Sequence, residues 1–231
     1  QGDGHTVASD VARLAEEDGH PIRVVNRAQR GDVNFAAVLR FERALIGAAP
    51  APDLVVFADG PDDYRVQRQS PSADPGQYGL EAARATLVHD DRSLWERYSE
   101  ASLLHRVVSR VQAVFSVQPA GAEGDDEEDL AADVASVYER GRRLAAALAA
   151  DAGVPIRFFW LPIDGGDGVG STYGAAADAL DPSVTDLRDS LDAADGPVYL
   201  DETQVNEVGA RLVAEAMYES LRPQIEQLSS P

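Results

Sequence analysis

The sequence predicts an α/β fold with a parallel sheet, a three-layer α/β/α sandwich, on two observations. Four short apolar runs of strand length stand at residues 22–26, 53–57, 156–161 and 197–200. Stretches with helical periodicity separate them, which is how a sheet with crossover helices reads in one dimension. The runs are apolar on consecutive residues, as expected of strands covered on both faces.

The elements follow in order. Val7, Val11, Leu14 and Ala15 mark a first helix, stopped by Gly19 and Pro21, the usual pairing of a glycine past the helix end with a later proline. Phe35, Val38, Leu39, Phe41, Leu45 and Ile46 repeat at helical spacing between the first two runs and complete one βαβ unit. Residues 61–90 are turn-rich, with Pro71, Pro75, Gly76 and Gly79, and are expected as a long surface excursion. A helix then carries Leu94, Tyr98, Leu103, Leu104, Val107, Val108, Val111 and Phe115. The acidic run at 121–129 opens a second long helix through Ala150, because carboxylates in a first turn favour the helix dipole. A calcium loop is the sharper alternative, but the run lacks the alternating ligands and terminal glutamate of an EF-hand. Residues 164–171 are glycine-rich, without a P-loop lysine or a full dinucleotide fingerprint, and are expected as a flexible loop. A helix over 205–228 finishes the chain. No repeat or linker calls for a second domain, so 1–231 is expected to form one.

Composition narrows the function classes. Forty acidic residues against twenty basic ones give a net charge of −20, which repels a phosphate backbone and an anionic bilayer. Nucleic acid is not an expected partner. The chain has no lysine and no cysteine, which removes Schiff-base chemistry, thiol catalysis, disulfides and zinc-thiolate sites. No apolar run approaches the roughly 20 residues that span a membrane, and no signal-peptide core opens the chain.

Three stretches carry more specific information. Residues 52–63 read Pro-Asp-Leu-Val-Val-Phe-Ala-Asp-Gly-Pro-Asp-Asp, a strand running into Gly60 and Asp62. Residues 201–214 place Asp201, Gln204, Asn206 and Gly209 at the start of the last helix, and residues 24–31 end on Gly31. In this order and spacing the chain resembles the SGNH, or GDSL-like, hydrolase family over nearly its whole length. The resemblance implies a flavodoxin-like sandwich whose first strand lies between the second and third and ends in a nucleophilic Ser. It also implies a final-block His as base, an Asp to orient it, and Gly and Asn donors for the oxyanion. The family-equivalent positions here are Gly31, Asp62, Asp201 and Gln204.

The departures from that pattern decide the functional expectation. The chain opens Gln1-Gly2-Asp3-Gly4-His5-Thr6, and the segment from His5 aligns with the helix after the nucleophile, so the first strand and its Ser are expected to be missing. Aligning Gly2-Asp3-Gly4 with Gly-Asp-Ser instead puts Gly4 where Ser belongs. Gln204 occupies the base position, and a neutral amide does not accept and return a proton as imidazole does. Asp62 stands where the family uses Asn. Losing such a donor costs roughly 2.7 to 4 kcal/mol of activation energy. A carboxylate in its place adds repulsion on the order of 4 kcal/mol at about 4 Å under an effective dielectric near 20. Asp201 without a histidine is expected to cap the last helix, with Gln204 as its capping-box partner.

Other residues offer little rescue. His5, His20, His89 and His105 are the histidines, none near the strand ends, and Ser171 lacks a nucleophile elbow. No catalytic residue, cofactor or metal is therefore expected. Asp62, Asp63 and Asp201 as oxygen ligands for a hard cation are the metal alternative, with Arg65 or Arg27 as equally suitable partners.

The leading expectation is a catalytically degenerate SGNH-like domain serving as a binding or structural module, with a carbohydrate or other small neutral ligand at the strand ends. One rival is a serine esterase whose nucleophile lies outside this chain. Another is a self-assembling or partner-binding protein, docking through the Val107 and Val111 helix. A homo-oligomer or a strand-donating partner is expected at the sheet edge. The parent is expected to be exported or tethered to the cell surface.

Overall fold

The structure, a computed structural model, describes residues 5–47, 51–69, 126–165 and 169–229. Within them the chain forms α1 (Val7–Glu17), α2 (Asn34–Gly47), β1 (Val55–Asp59), α3 (Pro61–Gln69) and α4 (Asp126–Ala152). It continues as β2 (Ile156–Trp160), α5 (Val169–Asp178), β3 (Val184–Asp186), a 3-10 turn (Arg188–Leu191) and α6 (Glu207–Ser229). The result is mixed α/β, with six helices and a small parallel sheet of order β1-β2-β3. Val55 lies opposite Ile156 and Asp59 opposite Trp160, while Phe158 lies opposite Val184.

The alternation of a strand decides which helices cover which face. Phe159 belongs to a cluster with Val11 and Ala15 of α1 and Val213, Met217, Leu221 and Ile225 of α6. Its neighbour Phe158 points the other way, into Phe57, Val38 and Phe41 of α2 and Leu144 and Leu148 of α4. Trp160 ends the strand inside an aromatic group. Its ring stacks on Tyr173 of α5 at 4.9 Å and meets the edge of Tyr138 of α4 at 5.0 Å. Such oriented pairs add about 0.5–1.5 kcal/mol each beyond their buried area. Gly60, at the exit of β1, has φ +121 and lies against the Tyr173 hydroxyl and the Trp160 ring. A side chain there is excluded both by conformation and by space.

Local signals place most helices as expected. Thr6 caps α1 through its Oγ1, which accepts from the Ser9 amide at 3.2 Å, and Ser9 Oγ accepts the Thr6 amide at 2.8 Å. The acidic run leads into α4, which begins at Asp126. The helix expected around Leu94 to Phe115, with His89, His105, Val107 and Val111, lies outside the described residues.

Two of the four expected strands are corrected. Residues 22–26 form no strand: Ile22 packs on the α1–α6 cluster, but Val24 and Val25 are 39% and 55% exposed. No strand among the described residues lies beside them to complete a hydrogen-bond ladder, so apolar composition alone does not make one. Residues 197–200 turn back on themselves instead. Tyr199 makes one antiparallel bridge to Val205, and the Leu200 amide donates to the Gln204 carbonyl at 2.7 Å. The third strand of the sheet, β3, is three residues long and falls below the length at which an apolar run is visible. Two helices occupy stretches expected as turn and loop. α3 opens with Pro61 and then Asp62 and Asp63, a proline and acids placed where a helix start favours them. α5 begins at Val169, within the glycine-rich stretch.

Candidate functional site

Parallel strands deliver their loops to one end of a sheet, where α/β proteins build their sites. At that end the β1–α3 junction meets the loop at 27–33 and the turn at 201–204. Between them lies a cleft of about 180 Å³ lined by Arg30, Gly31, Asp62, Arg65, Asp201, Thr203 and Gln204. The structure thus brings Gly31, Asp62, Asp201 and Gln204 together. A second depression, about 350 Å³, adjoins it across Asp201 and is lined by Asp164, Val169, Tyr199, Leu200 and Glu202.

Each acid at the mouth of the cleft is matched by an arginine. Asp62 Oδ1 accepts from Arg65 Nε at 3.0 Å and Nη2 at 2.7 Å, and its Oδ2 accepts the Gly31 amide at 3.2 Å. Gly31 has φ +82, the left-handed conformation that aims its N–H at this carboxylate. Asp201 Oδ2 accepts from Arg30 at 2.6 Å, and Glu202 pairs with Arg68 at 2.7 Å. The metal reading of Asp62, Asp63 and Asp201 meets these arginines first. Arg65, one of the two partners expected for these acids, pairs with Asp62, and Arg30 pairs with Asp201. Among the described residues, the group spaced to hold a metal is Asp18, His20 and Glu226 between α1 and α6. There Arg222 already pairs with Asp18 at 2.8 Å and with Glu226 at 3.0 Å.

Asp201 is not the cap of the last helix. Its Oδ1 accepts the amides of Thr203 and Gln204 at 3.0 and 2.9 Å, closing a local turn. Desolvation pushes its pKa upward, but those amides and Arg30 overcome it and hold the carboxyl below the usual range. The cap of α6 is Asn206, whose Oδ1 accepts the amides of Val208 and Gly209 at 2.9 and 3.0 Å. Its Nδ2 also donates to the Pro197 carbonyl at 2.7 Å, so one side chain starts the helix and secures the loop before it. Gln204 is held through its backbone and is one of the residues that line the cleft.

Beneath the cleft floor Asn34, fully buried, clamps two carboxyl groups. Its amide N–H donates to Asp63 Oδ1 at 2.9 Å and its side-chain Nδ2 to Asp59 Oδ2 at 2.8 Å. Asp63 Oδ2 also accepts the Gly60 amide at 3.3 Å. Asp59 keeps some of its surface at solvent, but its carboxyl lies deep among protein atoms. Desolvation raises it to about 6, and the Asp62 charge adds to the rise. Desolvation and then the charge of Asp59 push Asp63 well above the carboxylate range. The Tyr138 hydroxyl and Trp160 Nε1 are buried nearby in the aromatic group without a hydrogen-bond partner among the described residues.

Among the described residues the cleft lining contains neither serine nor histidine. His5 and His20 are described and lie elsewhere, Ser171 belongs to α5, and His89 and His105 fall outside the described residues. What the described lining offers is an amide, a hydroxyl, two guanidinium groups and two carboxylates, a set that can exchange hydrogen bonds. Sequence reading missed Arg30, Thr203 and the Asn34 clamp. Arg30 meets a partner 171 positions away, for which no local pattern exists. No family model matches the chain, and no curated protein or solved structure matches it either.

Proposed function

We propose that the chain is a catalytically degenerate domain of the SGNH type, an α/β/α sandwich that binds a small neutral, hydroxyl-rich ligand such as a carbohydrate at the strand ends. The supporting observation is the cleft itself. It gathers Gly31, Asp62, Asp201 and Gln204 around one space, and its described lining includes no serine or histidine. Its acids are neutralised by Arg30 and Arg65, so an uncharged ligand meets donors and acceptors without a large charge imbalance. Hydroxyl groups can accept from the Gln204 amide and from the arginine forks, and can donate to the remaining carboxylate lone pairs.

The test is a titration with a panel of neutral mono- and disaccharides, followed by amide chemical shifts. The expected result is saturable shifts at Gly31, Thr203 and Gln204, lost in Gln204→Ala. Flat shifts across the panel would remove the binding reading. Fluorophosphonate labelling and p-nitrophenyl acetate turnover are expected to be absent; their presence would revive an esterase.

A second reading, association through the sheet edge, is favoured by β1. It pairs with β2 on one side, and no strand among the described residues pairs with it on the other. An unpaired edge is a template for another strand. Sedimentation velocity expects a concentration-dependent dimer under this reading, and a monomer throughout would end it.

A further inference from the structure

The Gly31 amide and the Arg65 guanidinium converge on a single carboxylate, that of Asp62, at 3.2 Å for the amide and 2.7 and 3.0 Å for the two arginine nitrogens. One backbone N–H and a two-pronged guanidinium form the donor set that would hold a carboxylate from outside. The chain has filled it with its own. We propose that Asp62 is the specificity gate of the cleft: an internal carboxylate that occupies an anion nest and thereby refuses carboxylate-bearing ligands.

Three observations carry this. The pair sits in the wall of the cleft, with the Asp62 and Arg65 side chains 22% and 31% exposed, so part of each remains accessible to a ligand there. Its donors are anchored in the backbone, while the Arg65 guanidinium is aimed by Asp62 itself. Gly31 is set by its own backbone conformation, and Arg65 stands on α3 one turn beyond Asp62. Finally, the surroundings penalise a second anion while Asp62 is present. Asp201 shares the cleft, and Asp59 and Asp63 lie close enough beneath for the charge of Asp62 to raise both their pKa values. An incoming carboxylate would have to displace Asp62 from its arginine and leave it among three other acids. A hydroxyl ligand makes no such demand. Removing the gate reverses the preference, because Arg65 and the Gly31 amide are then left without their anion.

The inference rests on this cleft being a ligand site, and its test is separable from that reading. Sodium acetate is titrated into the whole chain and into Asp62→Ala and Asp62→Ser, with sodium chloride at matched ionic strength as control, following the Gly31 amide. Serine keeps a first-turn side chain that favours a helix start, so it serves if the alanine variant unfolds. Acetate is expected to saturate the Gly31 shift in the variants with affinity at least about tenfold above the unmodified chain, the equivalent of one charge-assisted hydrogen bond. Adding Arg65→Gln to either variant is expected to abolish the gain. If acetate leaves Gly31 unmoved in a folded variant, or moves it as strongly in the unmodified chain, the gate is overturned. Failure of neutral sugars to bind would remove the proposed ligand class and leave this result standing.

Discussion

Two Val-Val pairs end in opposite circumstances. Val55 and Val56 open β1, in register with Ile156 and Arg157, and lead into Phe57, which is packed between Phe41 and Phe158 at 5.7 and 5.6 Å. Val24 and Val25 are just as suited to a strand, yet they pair with no strand among the described residues, at exposures of 39% and 55% against 38% for Val56. The difference lies outside both segments. β1 meets a neighbour that satisfies its backbone groups and buries its inward residues, whereas residues 22–26 meet none among the described residues. Strand propensity is mostly a measure of fit to a pleated, half-buried surface, and it has no expression where that surface is lacking.

This contrast is open to direct attack. Phe57→Ala, on the paired side, should cost about 3–5 kcal/mol in urea unfolding, the range for deleting a buried aromatic ring. A loss below about 1 kcal/mol would mean that β1 is not part of the stable core.

The second largest effect is expected at the end of the same strand, at Asp59. Its folded pKa, raised to about 6 by desolvation, exceeds the unfolded value, so between those two pH values the native state binds more protons than the unfolded chain. Stability from this group is fully present below about pH 4 and is lost as pH rises through 6. Neighbouring Asp63, raised further, extends the loss to higher pH. Asp59→Asn should therefore stabilise the protein relative to the parent at pH 7 by about 1–3 kcal/mol, and the advantage should vanish near pH 4. An equal difference at both pH values would show that the carboxyl is not desolvated.

Asn206→Ala probes the other run that failed to become a strand. It should cost about 1 kcal/mol through the lost helix cap. It should also speed hydrogen exchange at residues 197–200 without affecting β2, and unchanged exchange there would show that Asn206 does not secure the loop. The smallest effect belongs to Val25→Thr, expected within about 0.5 kcal/mol as an exposed substitution. A loss above 1 kcal/mol would place this segment in a sheet after all.

Legibility follows the same division between local and distant causes. α1 was readable because its apolar stripe, Gly19 and Pro21 are all within one short stretch, and the Thr6 cap was a further local signal left unused. β1 and β2 were readable because their apolar residues run consecutively, even though β1 lies at the edge of the described sheet with Phe57 as its buried residue. α3 carried a signal that was overlooked: Pro61, Asp62 and Asp63 mark a helix start, but the prolines and glycines beyond them drew the whole stretch into a turn. β3 was invisible because three residues hold no period. For the cleft, the four positions drawn from family resemblance do come together. Arg65 was legible as a partner for these acids, but Arg30 and Arg68 were not, since they reach Asp201 and Glu202 across 171 and 134 residues. Nor was the role of Asp201, because an Asp followed three residues later by Gln fits a helix cap as well as the tight turn that it makes.

The seam between α1 and α6 sets an order on synthesis. Val11 and Ala15 of α1 find their cover in Val213, Met217, Leu221 and Ile225 of α6. The Tyr218 hydroxyl reaches back to Asp18 across 200 residues at 2.9 Å. At a ribosomal pace of about 5–20 residues per second, α1 spends roughly 10–40 s without that cover. Of the described helices, α1 precedes its cover by the longest stretch of chain, and its apolar stripe is a surface that a chaperone could meet in the interval.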